Sequence, residues 1–435
     1  MYPDWPECAA DLVPLPQWLG PKLGPFDFQG PQKIEFLEFL GEGLHAMVFK
    51  VRILGQVYAL KVFRWMYDYY WLGSGDFINR ENPEGLSAVY NCSDPFNNEC
   101  RAFGRLQEAG CEELAVRCFG YVLLDEEHER AMMTKFNYNK FSFNGTSDDA
   151  GFFDEEQRLV YPVKNGRPPP FRCIVKAFGK HINVFKGDVL RQGAARQVFQ
   201  SIIKLQKLGI IGSDTRIEQL IDDKLCDFSM AITLPHPSTN PELNPHLSPE
   251  MIHAMEKATF AHCVTDYLQF DTMIREWNMD YGRERGRLSI EAFPGRRGCC
   301  RIKTRYNLRG GTAAEGPIYT LVDPRRYHWT ANQVSGGASA LPASQRRHSG
   351  KISKVVAHQS VCSRDSKDLL RKPTARPDLW LFQCKEEDKE WSDHMVSHVW
   401  GAPYDLQWEC KGGYLFPVKK DSNNIAWGKS TASSN

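Results

Sequence analysis

A lysine and a glutamate in two predicted elements have the surroundings of a buried ion pair. Lys61 stands between Leu60 and Val62 in an apolar strand, where an ammonium needs a charged partner or a route to solvent. The alternatives are a solvated strand lysine and a glutamate that complements a helix N-terminus, but the apolar neighbours argue against both. In a cleft, the pair would hold the ammonium on phosphate groups. The helical stripe that turns this carboxylate coreward consists of Glu99, Ala102, Phe103 and Leu106.

A glycine-rich segment precedes the lysine. Small residues between the first two strands let backbone amides approach a phosphate, although a tight hairpin turn explains the same residues. Ala59 lies two positions before Lys61 on the same strand face, so it could cover a nucleotide base. The segment reads Gly41-x-Gly43-x-x-Ala46-x-Val48.

Two aspartates flank a short predicted hairpin with the turn Asp222-Asp223-Lys224. The hairpin would bring Asp214 and Asp227 into one cleft. One carboxylate could then accept a hydroxyl proton while the other holds Mg²⁺ against phosphates. Taken singly, each is better explained as an ordinary loop aspartate that forms a turn.

The elements that position these residues are predicted from the periodicity of apolar residues and from the positions of proline, glycine and helix-capping residues. Asp94-Pro95 predicts a helix start, with the helix ending near Ala109-Gly110. Residues 125–170 read as a polar surface insertion. The other predicted elements are strands at 47–53, 57–63, 114–124 and 172–178 and helices at 194–208 and 249–277.

Composition narrows the class of protein. The chain has 435 residues, 42% of them hydrophobic, with a formal charge of +1 and a pI near 7.5. We expect a soluble intracellular protein with no membrane contact, because no apolar run is long enough to span a bilayer. The thirteen cysteines form no Cys-x-x-Cys pattern, so reduced thiols are expected. His394 and His398 have zinc-ligand spacing, but Met395 stands where a zinc protease needs glutamate.

Taken together, the motifs occur in the order found in the protein kinases, which the chain resembles. The resemblance implies an α+β, bilobal protein-kinase-like fold with an antiparallel-sheet N-lobe and a mainly helical C-lobe, and ATP and Mg²⁺ as cofactors. It makes Asp214 the catalytic base and Arg216 a phosphate contact. Asp227 and Gln219 become the metal ligands. The cofactor-binding residues would be Gly41, Gly43, Ala46, Val48, Ala59, Lys61 and Glu99.

Departures from the kinase pattern weaken the prediction of catalysis. Gln219 replaces a metal-binding asparagine and adds a methylene, a displacement of roughly 1 Å that phosphoryl transfer does not easily tolerate. Gly212-Ser213 replaces His-Arg, Ser229 replaces the glycine of Asp-Phe-Gly, and no Ala-Pro-Glu follows. The lost arginine argues against switching by a phosphorylated loop. In its missing His-Arg and its compact hairpin, the chain also resembles small-molecule kinases of the aminoglycoside-phosphotransferase type.

A closer resemblance covers about residues 18–330. It is to the fungal inner-kinetochore family of the Sim-four complex, its FTA-two type subunits. It implies a nuclear, centromeric pseudokinase that serves as a binding scaffold for other inner-kinetochore proteins. An active phosphotransferase is the alternative. The matching segments are Pro21–Leu23, Phe36–His45, Tyr58–Lys61, Asn98–Phe103, Cys226–Ala231, Pro235–Pro237 and, more weakly, Tyr319–Pro324.

The predicted organisation has four parts. They are an extended arm at 1–30, an N-lobe with insertions at 31–180, a C-lobe at 181–330, and a linker with a Trp-rich tail at 331–435. A basic cluster near the end of the C-lobe is predicted to be a solvated loop, with DNA contact as the alternative. Its members are Arg296, Arg297, Arg301, Lys303, Arg305 and Arg309.

Overall fold

The protein has mixed α and β structure, as the sequence predicts, in a computed structural model. The residues it describes are 20–65, 92–136, 158, 169–183, 187–212, 214–243, 247–292, 309–313, 316–319, 322–327, 382–383, 406–411 and 414–419.

A five-stranded antiparallel sheet is the larger β element. Its strands are β1 (Glu35–Glu42), β2 (Ala46–Ile53), β3 (Gln56–Phe63), β4 (Cys118–Leu123) and β5 (Arg172–Ala177). Their order across the sheet is β1-β2-β3-β5-β4. Leu54 and Gly55 join β2 to β3 in a two-residue turn and both have positive φ, which suits the twist of a tight hairpin.

The remaining elements are mainly helical. The helices are α1 (Pro95–Ala109), α2 (Glu126–Phe136), α3 (Gln192–Lys207), α4 (Pro249–Asp280) and α5 (Gly282–Arg285). The short strands are β6 (Ile210–Ile211), β7 (Leu220–Ile221), β8 (Lys224–Leu225), β9 (Ile232–Thr233), β10 (Arg309–Ala313), β11 (Gly316–Tyr319), β12 (Phe382–Gln383), β13 (Leu406–Lys411) and β14 (Tyr414–Lys419).

Helix α1 begins where the sequence predicts. Asp94 Oδ1 accepts the backbone N–H groups of Phe96 and Asn97 at 3.0 and 3.3 Å, and Pro95 occupies the first turn, where its missing N–H costs nothing. The helix ends at Gly110, whose φ of +63° is the left-handed conformation of a glycine C-cap.

Helix α2 corrects the prediction that residues 125–170 are only a polar surface insertion. Its Met132 and Phe136 belong to the apolar cluster on one face of the sheet, and Phe136 packs against Phe49 with ring centroids 5.0 Å apart. Only His128 and Met132 of this helix are buried. Most of its other residues are charged, so the sequence shows no long apolar stripe at helical spacing.

The other face of the sheet meets the helical elements in one core. Phe63 and Ile174 of the sheet belong to the same apolar cluster as α1, α3 and α4. The predicted hairpin is present as β7 and β8. Asp222 and Asp223 form its turn with φ of +48° and +62°, a conformation that aspartate tolerates better than most residues.

Residues 20–30 of the predicted arm lie beside the free edge of β4. The backbone of Tyr121 exchanges hydrogen bonds with Gly24 and Phe26, at 3.1 and 2.8 Å. Leu23 is fully buried, and the backbone of Lys22 comes so close to Gly104 of α1 that a Cβ there would clash. The arm segment therefore covers both the sheet edge and the helix.

Several sequence predictions lie outside the described residues. These are the role of Ser213, the His394/His398 pair and, apart from the backbone of Arg309 in β10, the basic cluster. Among the described cysteines, six are free, as expected, and Cys111 is in a disulfide, which the sequence did not indicate.

Candidate functional site

Lys61 and Glu99 meet across the sheet and α1. The Lys61 Nζ lies 2.7 Å from Glu99 Oε2, and the two residues are 6% and 0% exposed. Ala102, Phe103 and Leu106 of the predicted stripe are buried as well. The apolar neighbours of both charged residues therefore do enclose them, and each satisfies the other.

Asp227 joins this pair. Its Oδ1 lies 2.6 Å from Lys61 Nζ and accepts the backbone N–H of Ser229 at 2.9 Å. Burial alone would raise the pKa of Asp227, but the ammonium groups of Lys61 and Lys176 outweigh it and lower the pKa. Burial would likewise lower the pKa of Lys61, and the carboxylates of Asp227 and Glu99 raise it instead. Lys61 and Asp227 are therefore both charged at neutral pH.

A second lysine, Lys176 of β5, belongs to the same cluster and was missed from the sequence. Its Nζ forms an ion pair with Glu99 Oε1 and donates to the backbone oxygen of Cys226 at 2.5 Å. The available signal was the one used for Lys61, a lysine within an apolar strand. The strand predicted at 172–178 contains Lys176 among apolar residues and therefore carries the same signal.

The glycine-rich segment folds against the Asp-Phe-Ser turn. Gly43 donates its N–H to the Ala46 oxygen at 2.9 Å, which closes the turn between β1 and β2. A hydrogen bond of 2.9 Å joins His45 Nδ1 to Ser229 Oγ. Burial lowers the pKa of His45 to about 4, so the imidazole is neutral at pH 7. We call this contact the His45–Ser229 latch; sequence reasoning identified neither partner as a contact residue.

Among the predicted cofactor-binding residues, Val48 and Ala59 are half-buried and Ala46 is buried. Ala59 lies between two lysines of neighbouring strands, opposite Lys50 on β2 and Lys176 on β5. The Lys50 Nζ lies 4.7 Å from the ring centre of Phe178. Cations therefore flank the small residue on both sides.

Asp214 and Arg216 form a local pair at the surface. Arg216 Nη2 donates to Asp214 Oδ2, and the arginine side chain is 58% exposed. Burial would lower the pKa of Arg216, but Asp214 outweighs it and raises the pKa, with smaller contributions from Glu218 and Asp227. Asp227 and Asp214 also both act electrostatically on His45 and oppose the effect of burial on its pKa.

Gln219 lies at the base of the β7–β8 hairpin. Its backbone oxygen accepts the N–H of Cys226 at 3.0 Å, and its side-chain oxygen lies 3.9 Å from the Cys226 sulfur. Burial raises the pKa of Cys226 to about 11, so this sulfur carries a proton that it can donate. The side-chain oxygen predicted to bind metal thus contacts a thiol.

Helix α1 is tied to the helical elements as well as to the sheet. Asn98 donates to the Ser229 oxygen at 3.0 Å, and Phe103 packs edge-on against Phe228 at 5.2 Å. Buried Arg101 donates to the oxygens of Thr233 and Pro235, and buried Arg105 donates to those of Leu208 and Leu234. These contacts fix the helix that carries Glu99.

In the described part of the chain, membrane-spanning helices and clusters of metal-binding side chains are both absent. No helix there is both long and apolar enough to cross a membrane. No group of three or more histidine, cysteine, aspartate or glutamate side chains there is arranged to hold a metal ion.

The chain matches a known protein family. The family described as "Kinetochore Sim4 complex subunit FTA2" matches residues 12–232. No curated protein has a detectable match to this chain. The matched range includes β1–β8, α1–α3 and the residues of the candidate site.

Proposed function

Because the chain belongs to the family of the kinetochore Sim4 complex subunit FTA2, we propose that it is a pseudokinase-type binding scaffold within that complex. The family places the chain at the kinetochore, on the centromere, with other kinetochore proteins as partners. The proposal adds a nuclear location, a two-lobed protein-kinase-like fold, and a role in binding rather than phosphoryl transfer.

The order and surroundings of the motifs support the kinase-like fold. The five-stranded antiparallel sheet carries Lys61, α1 carries its partner Glu99, and a short hairpin separates Asp214 from Asp227. This is the arrangement that phosphoryl-transfer sites of the kinase type need to bind ATP and Mg²⁺. The fold alone does not decide whether a reaction takes place.

One observation carries the scaffold role: the ammonium of Lys61 is held between Glu99 and Asp227, at 2.7 and 2.6 Å. The two carboxylates balance the charge of Lys61. The contact with Lys61 gives Asp227, the predicted metal ligand, a cationic partner within the protein. The His45–Ser229 latch also holds the glycine-rich segment against the Asp-Phe-Ser turn. A nucleotide with its Mg²⁺ would have to displace the Lys61–Asp227 contact, because Asp227 cannot coordinate the metal through the oxygen that pairs with Lys61.

A further support is the anchoring of α1. In kinases that switch, this helix moves to make or break its lysine–glutamate pair. Here Arg101 and Arg105 bond four backbone oxygens of the helical elements from buried positions. A fixed α1 suits a constant binding surface.

The active phosphotransferase remains the second candidate, because Lys61, Glu99, Asp214 and Asp227 are all present. Thermal unfolding with ATP, with Mg²⁺ and with both separates the two. For the scaffold, the native protein shows no rise in melting temperature at saturating ATP and Mg²⁺. A clear rise that is abolished in both Lys61→Ala and Asp227→Ala would establish nucleotide binding and favour the enzyme.

The scaffold role itself is tested by recovery of partners. The Asp214→Asn/Arg216→Ala double variant alters the predicted catalytic residues at the surface and leaves the buried cluster intact. We expect it to co-purify with kinetochore proteins as well as the native chain does and to reach centromeres. Failure of the native chain to recover any kinetochore protein would contradict the proposal, as would loss of recovery in a folded double variant.

A further inference from the structure

Lys176 is a buried cation that none of the predicted roles uses. It lies opposite Ala59, two residues from Ile174, which lies opposite Lys61. Both lysines therefore lie on the same face of the sheet, on neighbouring strands. Lys176 is 6% exposed, so its charge must be balanced by partners within the protein.

Two contacts fix its ammonium beside Asp227. Lys176 pairs with Glu99 Oε1, and it also donates to the backbone oxygen of Cys226, the residue that precedes Asp227. Lys61 contacts the other oxygen of the same carboxylate, Oε2. Glu99 therefore divides one negative charge between two ammonium groups, and Lys61 makes its second ion pair with Asp227.

The cluster is electrically balanced, with two ammonium groups and two carboxylates. A divalent cation prefers carboxylate oxygens that are not yet neutralised, and at Asp227 it would have to enter beside two ammonium groups that repel it. A nucleotide phosphate would have to compete with Asp227 for Lys61. Without Lys176, Glu99 could satisfy Lys61 alone, and one carboxylate would be in excess beside the position of a metal.

We propose that Lys176 determines the specificity of this cleft by excluding metal-bound nucleotides, because it shares Glu99 and thereby directs Lys61 onto Asp227. The inference deepens the scaffold function and rests on it. Lys176 acts through Glu99 and Lys61, so its removal changes what the cleft accepts.

The test replaces Lys176 with methionine, which keeps the unbranched stem and removes the ammonium. Thermal unfolding of the native protein and of Lys176→Met is followed with ATP, with Mg²⁺ and with both. The native melting temperature should not change. That of Lys176→Met should rise by several degrees only when ATP and Mg²⁺ are both present, and Lys176→Met/Asp227→Asn should lose this gain.

The matched control is Lys50→Met. Lys50 flanks Ala59 from the other side, on the same face of the sheet, but it pairs with the exposed Glu38 at 3.6 Å and not with Glu99. It should gain no response to ATP and Mg²⁺. A gain equal to that of Lys176→Met would mean that any lost cation has this effect, and the inference would fail.

The remaining outcomes separate the inference from the scaffold function. A folded Lys176→Met that does not respond overturns the inference and leaves the scaffold standing. A native protein that ATP and Mg²⁺ stabilise overturns both. Lys176→Gln keeps a donor for the Cys226 oxygen and replaces the methionine variant if that one does not fold. The same gain is expected from it, and its absence counts equally against the inference.

Discussion

The two parts of the candidate site differ in how the protein holds them. Lys61 and Glu99 are enclosed between the sheet and α1, and a second lysine and a second carboxylate complete their cluster. Asp214 and Arg216 pair with each other two residues apart in a loop, with the arginine largely in solvent. A buried ion pair that loses one partner leaves an uncompensated charge in the core, whereas water replaces a lost surface partner. The buried cluster is therefore required for stability, whether or not it takes part in a reaction. The Asp214–Arg216 pair can be replaced at little cost in stability.

The largest expected effect comes from Glu99→Gln. It leaves the ammonium groups of Lys61 and Lys176 with one carboxylate between them, and we expect a loss of roughly 3–5 kcal/mol of unfolding free energy. Urea unfolding measures it. Glu38→Gln is the matched control, because it also removes a carboxylate that pairs with a lysine of the sheet, Lys50, but its side chain is 61% exposed. The control should cost less than about 1 kcal/mol. Equal losses in the two variants would refute the comparison.

An intermediate effect is expected from pH at the His45–Ser229 latch. Burial lowers the pKa of His45 to about 4 from 6.5, so the unfolded chain takes up the proton first as the pH falls. The stability from the neutral imidazole is fully present above about pH 6.5 and is lost as the pH falls toward about 4. Between pH 7 and pH 5, His45 should account for about 2 kcal/mol of lost unfolding free energy.

Urea unfolding of His45→Gln at these two pH values checks this. The variant should lose less stability than the native chain, and the difference isolates His45 from His236, whose pKa burial lowers to about 3. Ser229→Ala is the control, since it removes the hydroxyl and leaves a buried imidazole. It should keep most of the pH dependence; a His45→Gln variant as sensitive to pH as the native chain would show that His45 is not the group responsible.

The smallest expected effect is that of Asp214→Asn. It removes the charge that pairs with Arg216, whose side chain is 58% exposed, so the loss of unfolding free energy should stay below about 1 kcal/mol. Urea unfolding of Asp214→Asn and Arg216→Ala measures both sides of the pair. A loss above about 2 kcal/mol in either variant would place this pair with the buried cluster and remove the distinction between the two parts.

Much of the fold could be predicted from local sequence. The strands β1–β3 follow from β-branched and aromatic residues around Leu54-Gly55, and α1 follows from Asp94-Pro95 and the stripe that contains Glu99. Helix α2 could not be predicted, because only His128 and Met132 of its residues are buried. Its place on the sheet depends on aromatic contacts with Phe36 and Phe49, which lie far away in sequence.

The sequence by itself determined which residues carry charge into apolar elements and in which order the kinase-like motifs occur. The tertiary structure alone decided that Lys176 shares Glu99 with Lys61, that Lys61 turns to Asp227, and that His45 bonds to Ser229. Periodicity tells on which side of its own strand or helix a residue lies. Which side chain stands opposite is set by the packing of elements distant in sequence, and that packing determines whether a charge stays free to bind a ligand.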